Sequence, residues 1–275
     1  HTGTPARAAL QLYALTPRGP APLPVDPRAA NLHDVMEGVP DGVYSALRTF
    51  GTARFLALDE HLARTERSMA GLGWTKPLDH QRLCGALDEI ARAYTHGDAR
   101  FRFDVLAKPV LLGGETSDMF LGVAPHTETP PELMERGVRV DFAPHLTRPR
   151  PLIKTTDFVR ARKPLPIGTP ERFEHLLVDF AGRILECSSS NVLFVRGQDI
   201  VCAGDGVLEG ITQKIVLGLV KKGLLSSILV VKESGSAMVG LGKDLSPFKK
   251  TALAPSPSDP FGLLPEAPKR VLALR

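Results

Sequence analysis

Two stretches in the first half of the chain carry apolar residues at helical spacing. The first predicted helix runs from Glu60 to Leu72, with Asp59 as its N-cap and Gly73 at its end. Its buried stripe is formed by Leu62, Met69 and Leu72. The second runs roughly from Asp79 to Thr95, and its apolar positions are Leu83, Leu87, Ile90 and Tyr94. Both patterns are amphipathic, so these helices are expected to cover a sheet.

Alternation of apolar and polar residues predicts the strands of that sheet. The predicted strands are Leu10–Leu15, Asp41–Phe50, Arg54–Leu58, Phe101–Leu106 and Met119–Ala124. The second and third of these are expected to form a hairpin about Gly51. Frequent prolines favour loop for the rest of the first thirty residues.

The second half of the chain is predicted to be richer in strands. A strand is expected at Gly137–Phe142, two short strands about a glycine turn at His175–Asp179 and Ile184–Glu186, and a helix from Gln213 to Gly223. The polar, proline-bearing segment Pro125–Pro131 indicates a linker. The sequence therefore predicts an α+β or α/β protein with an N-terminal α/β domain at 1–124, a linker at 125–136 and a strand-rich domain at 137–275.

Composition narrows the classes of function. The formal net charge of +4 is spread along the chain rather than concentrated in a tail, so nucleic-acid binding is not indicated. No apolar run is long enough to span a bilayer, and no signal peptide is visible. Three scattered cysteines are too few for a disulfide framework or a zinc site, so no metal and a reducing, cytoplasmic location are expected.

Three short motifs carry the candidate chemistry: Ile153–Asp157, Leu185–Asn191 and Glu209–Thr212. They supply a lysine amine, a carboxylate and a glycine-led helix start that can hold a phosphate, which are the groups needed by an aldehyde cofactor. Lys154 must be neutral to form a Schiff base, and neighbouring cations favour that state. These neighbours are Arg148, Arg150, Arg160, Arg162 and Lys163. Alternatively, Lys154 lies in a solvated basic loop and Glu186 is a surface charge.

Together the motifs resemble the signature of the class IV, or fold type IV, pyridoxal-phosphate enzymes. These include branched-chain and D-amino-acid aminotransferases and aminodeoxychorismate lyase. The resemblance implies a two-domain fold with pyridoxal 5'-phosphate at the domain interface. It implies that Lys154 holds the cofactor and moves protons as general base and acid, and that Glu186 binds the ring nitrogen. The run after Glu186 that matches the family's motif supplies Ser189, Ser190 and Asn191 as further cofactor-binding residues.

The phosphate is assigned to Ile211, Thr212 and Arg64. Spacing alone places His61 and Arg64 on a solvated helix face, but the Glu-His-x-x-Arg helix start is similar to that of the family, whose arginine reaches the phosphate. His61 is interpreted as structural. Arg102 and Tyr44 are weaker candidates for substrate binding.

The implied activity is amino transfer between an amino acid and a 2-oxo acid. Two alternatives stay open: an aminodeoxychorismate lyase, and a catalytically silent member that binds a small anion or a partner. The family also implies a homodimer in which the loop His33–Pro40, with apolar Val35, Met36 and Val39, edges the partner's pocket; alternatively these side chains tuck against their own domain.

Several positions depart from the family pattern. Cys187 stands where glycine is usual, and Phe158 where many relatives have tyrosine. After Gly223 the resemblance fades, and the expected second phosphate hydroxyl has no clear source. The atypical segment 224–275 is either a divergent tail or, as a minority hypothesis, the product of a shifted reading frame.

Overall fold

The computed structural model describes residues 9–165, 168–169, 172–196 and 199–221, together with three later strands. The strands are β1 Gln11–Thr16, β2 Gly19–Leu23, β3 Val43–Arg48, β4 Ala99–Leu112, β5 Glu115–Pro125, β6 Val138–Phe142, β7 Glu174–Val178, β8 Ile184–Cys187, β9 Asn191–Arg196, β10 Asp199–Val201, β11 Val230–Lys232, β12 Ala237–Gly240 and β13 Arg270–Leu274. The helices are α1 Leu32–Val35, α2 Leu58–Gly71, α3 His80–Ala93, α4 Pro131–Arg136, α5 Thr156–Arg162 and α6 Ile211–Lys221.

The chain forms two compact units. The first is His1–Thr127 with Ile153–Val159, and the second is Glu128–Leu152 with Arg160–Arg275. Lys154 was predicted to lie in the second domain, whereas the short segment that contains it packs within the first unit. Apart from the short helix α4, the stretch from His126 to Gly137 has no helix or strand.

The first unit is a five-stranded antiparallel sheet in the order β2-β1-β5-β4-β3. Successive residues of a strand face opposite sides of a sheet. Accordingly, Leu121 packs with α2 and α3 in the larger apolar cluster, while Phe120 packs in a smaller cluster on the other face. Both side chains are fully buried. The predicted helices and the strands β1, β3, β4 and β5 are confirmed.

The second unit contains a mixed sheet in the order β11-β12-β6-β7-β8 and a three-stranded antiparallel sheet in the order β10-β9-β13. β6 and β7 run parallel, and β7 and β8 form the predicted pair about a glycine turn at Gly182. The unit's core joins β6, β7 and β9 to apolar residues of α6. Most of the segment 224–275, and with it the question of a shifted reading frame, lies outside the described residues.

Two strand predictions in the first unit were wrong. β2 was expected to be loop because of its prolines, yet it pairs with β1 through Leu15–Pro20 and Tyr13–Pro22. It lies at the sheet edge, where proline is tolerated because only one side of the strand must supply ladder hydrogen bonds. Conversely, Arg54–Leu58 is not a strand; the bridge between Thr49 and Phe55 is its only recorded β pairing within the described residues.

The start of α2 also differs from the prediction. Ala57, with a φ of 50°, is the N-cap in the left-handed region and makes no side-chain cap hydrogen bond. Asp59 lies inside the first turn instead, where its charge interacts favourably with the helix dipole. The Asp79 N-cap of α3 is as expected, since its carboxylate accepts from the Arg82 amide.

The loop predicted to contact a partner subunit is packed in its own unit. Val35, Met36 and Val39 have 4%, 2% and 2% of their surface exposed and belong to the smaller apolar cluster. Met36 also lies where a side chain on Gly122 would be, so its position is determined by β5. These apolar residues therefore give no support to a dimer contact.

Candidate active site

Main-chain hydrogen bonds on both sides of Lys154 hold it in place. The Lys154 carbonyl accepts from the Tyr44 amide at 3.0 Å, and the Lys154 amide donates to the Ser68 hydroxyl of α2 at 3.2 Å. The next residue, Thr155, forms a bridge with Val43. A lysine fixed between the start of β3 and α2 is not part of a freely solvated loop.

The Lys154 side chain lies against the ring of Tyr44. Its Nζ is 4.6 Å from the ring centroid, and the Arg102 guanidinium carbon is 4.7 Å from the same centroid. Both distances are within the range of cation–π attraction. Tyr44, a weak substrate candidate from the sequence, therefore directly contacts the predicted catalytic lysine.

Arg102 is buried rather than on the solvent side of β4. Its Nε and Nη2 donate to the two carboxylate oxygens of Asp104 at 2.7 and 2.6 Å. The side chains are 7% and 0% exposed, respectively. This bidentate pair already uses one edge of the guanidinium, so a substrate carboxylate would meet an arginine that is partly neutralised. A role for Arg102 in substrate binding stays a prediction.

Spacing alone would place His61 and Arg64 on a solvated face of α2, and the structure excludes that alternative. Both are buried, and both reach the Ser45 hydroxyl of β3, from His61 Nδ1 at 2.8 Å and Arg64 Nη2 at 2.9 Å. Burial, together with the positive charges of Arg64 and Lys154, lowers the pKa of His61 to about 3. A neutral imidazole and a buried guanidinium thus converge on one serine.

In the second unit, Glu186 is a buried carboxylate at the end of β8. Its Oε1 accepts from Arg148 Nε at 2.8 Å, and its Oε2 accepts from the Leu208 amide at 3.4 Å. The Glu186 and Arg148 side chains are 3% and 6% exposed. Glu186 is therefore not a surface charge, and Arg148 provides a positive charge directly beside it.

Two of the cations assigned to the surroundings of Lys154 have partners in the second unit. Arg148 pairs with Glu186, and Arg162 donates to the Ser188 carbonyl at 3.1 Å. Sequence proximity grouped both arginines with the lysine, whereas the fold pairs each of them with a residue distant in sequence. Within the unit of Lys154, the neighbouring cations are Arg102, which lies over the same Tyr44 ring, and Arg64, whose charge acts together with that of Lys154 on His61.

The serine run after Glu186 surrounds a carboxylate that was not among the predicted site residues. The hydroxyls of Ser188, Ser189 and Ser190 all donate to Glu174, which is fully buried at the start of β7. Glu174 stands next to a predicted strand with no motif around it. The run of three serines was the available signal for this carboxylate, because buried hydroxyls require hydrogen-bond partners.

Asn191 connects this turn to the beginning of α6. Its Nδ2 donates to the Leu208 carbonyl at 2.9 Å, and its side chain occupies the space that a Cβ on Gly210 would need. The Gly210 carbonyl accepts from the Lys214 amide at 2.9 Å, which makes the first turn of the helix. Ile211 and Thr212 follow at its N-terminus, where backbone amides can bind an anion.

The predicted site residues thus fall into two groups. The first unit brings together Lys154, Tyr44, Arg64 and Arg102, and the second brings together Glu186, Ser189, Ser190, Asn191, Ile211 and Thr212. Across the described ranges, acidic, histidine and cysteine side chains form no cluster suited to a metal ion. No helix in the part of the chain that the structure describes is both long and apolar enough to cross a membrane.

Solved structures share this fold. One described as a candidate branched-chain amino acid aminotransferase from Thermotoga maritima has a TM-score of 0.59 at 20% identity, with 85% of this chain and 78% of that chain covered. A candidate 4-amino-4-deoxychorismate lyase has a TM-score of 0.55 at 24% identity, with 81% of this chain and 93% of that chain covered. The branched-chain amino acid aminotransferase from Thermobaculum terrenum in its PLP form has a TM-score of 0.53 at 21% identity, with 78% of this chain and 74% of that chain covered.

A comparison with curated protein sequences gives no significant match. The sequence profile described as amino-transferase class IV matches residues 42–228. That span is about two thirds of the chain and contains Lys154, Glu186 and Thr212. The chain therefore belongs to the class IV aminotransferase family.

Proposed function

We propose that this protein is a pyridoxal-phosphate-dependent aminotransferase that moves an amino group between an amino acid and a 2-oxo acid. The observation that carries the proposal is Lys154, whose main chain is fixed by Tyr44 and Ser68 and whose half-buried amine lies against an aromatic ring. When bound, the cofactor supplies an aldehyde for the amino group and a ring that accepts electrons.

Each unit, taken by itself, offers groups that suit part of such a cofactor. Glu186 is a buried carboxylate held by Arg148, suited to a protonated ring nitrogen. The α6 N-terminus, with Ile211 and Thr212, offers backbone and hydroxyl donors for a phosphate, and the buried Arg64 guanidinium offers a charged donor. In this proposal the Lys154 amine would hold the cofactor covalently and would carry a proton as general base and acid.

Cofactor binding is the first test. Wild-type protein titrated with pyridoxal 5'-phosphate should develop the visible absorbance of a lysine-bound aldehyde, and borohydride should fix the cofactor on Lys154. Lys154→Ala should abolish this absorbance, because no other amine replaces a positioned nucleophile. Lys108→Ala, an exposed lysine on β4, is the matched control and should behave as wild type. Absence of binding to the wild-type protein would favour a catalytically silent family member.

Amino transfer and elimination share these residues, so the reaction must be assayed directly. We expect common amino donors with 2-oxoglutarate to give amino transfer. The lyase alternative is favoured by the fold shared with a candidate 4-amino-4-deoxychorismate lyase. Release of pyruvate from aminodeoxychorismate without any amino transfer would establish the lyase instead.

The proposal includes a homodimer, which the family resemblance implies, and a cytoplasmic location, which the few scattered cysteines favour. The apolar residues of the loop at 33–40 do not support the dimer, because they are buried in their own unit. Sedimentation equilibrium at micromolar concentration should nevertheless give a dimer mass. A monomer that binds the cofactor tightly would contradict this expectation.

A further inference from the structure

Glu174 is a fully buried acid at the start of β7 that accepts several hydrogen bonds. Its Oε1 accepts from the His175 amide at 3.0 Å and from the Ser188 hydroxyl. Its Oε2 accepts from the Ser189 amide at 3.1 Å, the Ser189 hydroxyl and the Ser190 hydroxyl at 3.0 Å. Two backbone amides and three serine hydroxyls therefore converge on one fully buried side chain.

This arrangement changes the role of the serine run. Each serine hydroxyl has one proton to donate, and in Ser189 and Ser190 that proton is directed at Glu174. These two hydroxyls can therefore accept from a cofactor but not donate to its phosphate. Their described contribution is to hold the turn between β8 and β9 on the side chain of β7.

The turn that Glu174 holds connects the residues assigned to both ends of the cofactor. Glu186 lies two residues before Ser188, and Asn191 follows Ser190. Glu186 and Asn191 both bind Leu208, through its amide and its carbonyl respectively. Asn191 also contacts Gly210, directly before the α6 N-terminus. A displacement of the turn would therefore reach both the Glu186 carboxylate and the start of α6.

We propose that Glu174 is a positioning residue that sets the Glu186 carboxylate and the α6 N-terminus at one fixed spacing. This inference rests on the proposed function, because it assigns those two groups to the same cofactor. Replacement by glutamine puts an amide hydrogen donor among several hydroxyl and amide donors, so the turn must rearrange. Glu174 itself is not assigned a contact with the cofactor.

The test is a double-mutant cycle read by cofactor affinity rather than activity. Glu174→Gln should weaken pyridoxal 5'-phosphate binding by roughly tenfold or more, as expected when a charge-assisted network is broken. Glu186→Gln should weaken it as well. If Glu174 acts through Glu186 and the helix start, the double variant should lose clearly less affinity than the product of the two single losses. Glu132→Gln, an exposed acid of α4, is the matched control.

The outcomes separate the two proposals. Wild-type protein that binds no cofactor defeats the proposed function. The positioning role is overturned if the wild-type protein binds the cofactor tightly and Glu174→Gln binds it equally well. It is also overturned if the affinity loss of the double variant equals the product of the losses of Glu174→Gln and Glu186→Gln. If Glu174→Gln does not fold by circular dichroism, the combined Ser189→Ala and Ser190→Ala variant serves instead. It removes two donors while retaining the carboxylate, and should show the same coupling to Glu186→Gln.

Discussion

His61 is a histidine that the fold keeps neutral. Its imidazole is buried against Ser45, and its pKa falls to about 3 because of burial and the nearby charges of Arg64 and Lys154. In the unfolded chain the ordinary value of 6.5 applies. Between these two values the unfolded chain binds a proton that the folded protein does not, so acid favours unfolding.

This gives a prediction for stability against pH. The free energy of unfolding of the wild-type protein should fall as the pH drops from about 6.5 towards 3, in part through His61. His61→Asn keeps a polar atom near the Ser45 hydroxyl but has no titrating group, so its stability should fall less steeply across this window. Urea unfolding at a series of pH values measures both slopes.

The control for this experiment is His80→Asn. The His80 side chain is 47% exposed in α3 and pairs with Glu66, away from the buried cluster. The free energy of unfolding of the His80→Asn variant should change with pH much as that of the wild-type protein does. Parallel curves for wild type and His61→Asn would show that His61 does not contribute the expected proton linkage.

The candidate site could be predicted from the sequence only where a residue type carries its own chemistry. Lys154 and Glu186 were selected because an amine and a carboxylate stood in recognisable motifs. Glu174 and Ser45 were missed, because each works through contacts with residues more than ten positions away. Arg148 was assigned to the wrong partner for the same reason. Long-range hydrogen-bond partners are fixed by the fold, and spacing along the chain does not reveal them.

At the scale of elements, the start of α6 depends on Gly210, which has no side chain. A Cβ on Gly210 would lie 1.7 Å from Asn191 Oδ1, and the amide of Asn191 is already bound to Leu208. The asparagine therefore cannot turn away without breaking that hydrogen bond. Gly210 is required here for close approach rather than for an unusual φ.

Two glycine substitutions test this requirement. Gly210→Ala should lower the free energy of unfolding by about 1–3 kcal/mol through steric overlap, and should weaken cofactor binding at the α6 N-terminus. Gly218→Ala, inside the same helix, meets no atom within 4 Å and should be neutral or stabilising by up to about 1 kcal/mol. Urea unfolding measures both changes. A Gly210→Ala protein as stable as Gly218→Ala would contradict the packing described for Asn191.

Element prediction succeeded where one pattern dominated. The helices α2 and α3 and the strands β4 and β5 have clear periodicity and large buried faces. β2 was missed because proline signals a break, while an edge position accepts it. Arg54–Leu58 was assigned to a strand because it alternates, yet left-handed residues at Ala53 and Ala57 prevent an extended run. Local composition does not show which side of a strand stays unpaired.

At the scale of the whole molecule, the chain passes between its two units more than once. Ile153–Val159 belongs to the first unit although the residues on either side of it belong to the second. Within the first unit, the Thr156 hydroxyl donates to Asp41 at 2.8 Å and accepts from the Gly42 amide at 2.9 Å, and Phe158 is 3% exposed. The first unit is therefore completed by a segment from beyond the boundary at Thr127.

This connectivity predicts that the two parts stay together when the chain is cut. A protease site inserted in the exposed stretch at 127–130 separates residues 1–127 from the part that carries Ile153–Val159. Because the latter segment is packed on β3 and α2, the two fragments should co-elute in native size-exclusion chromatography and separate only in denaturant.

Combining Thr156→Val with Phe158→Ala removes the hydroxyl that satisfies the Gly42 amide and a buried ring, at a cost of several kcal/mol by the usual magnitudes of about 1–3 and 3–5 kcal/mol. That cut variant should release the fragments at lower denaturant concentration. Thr116→Val, at an exposed position of β5, should leave the cut protein unchanged. Fragments of the cut wild-type protein that separate without denaturant would show that this segment does not hold the first unit together.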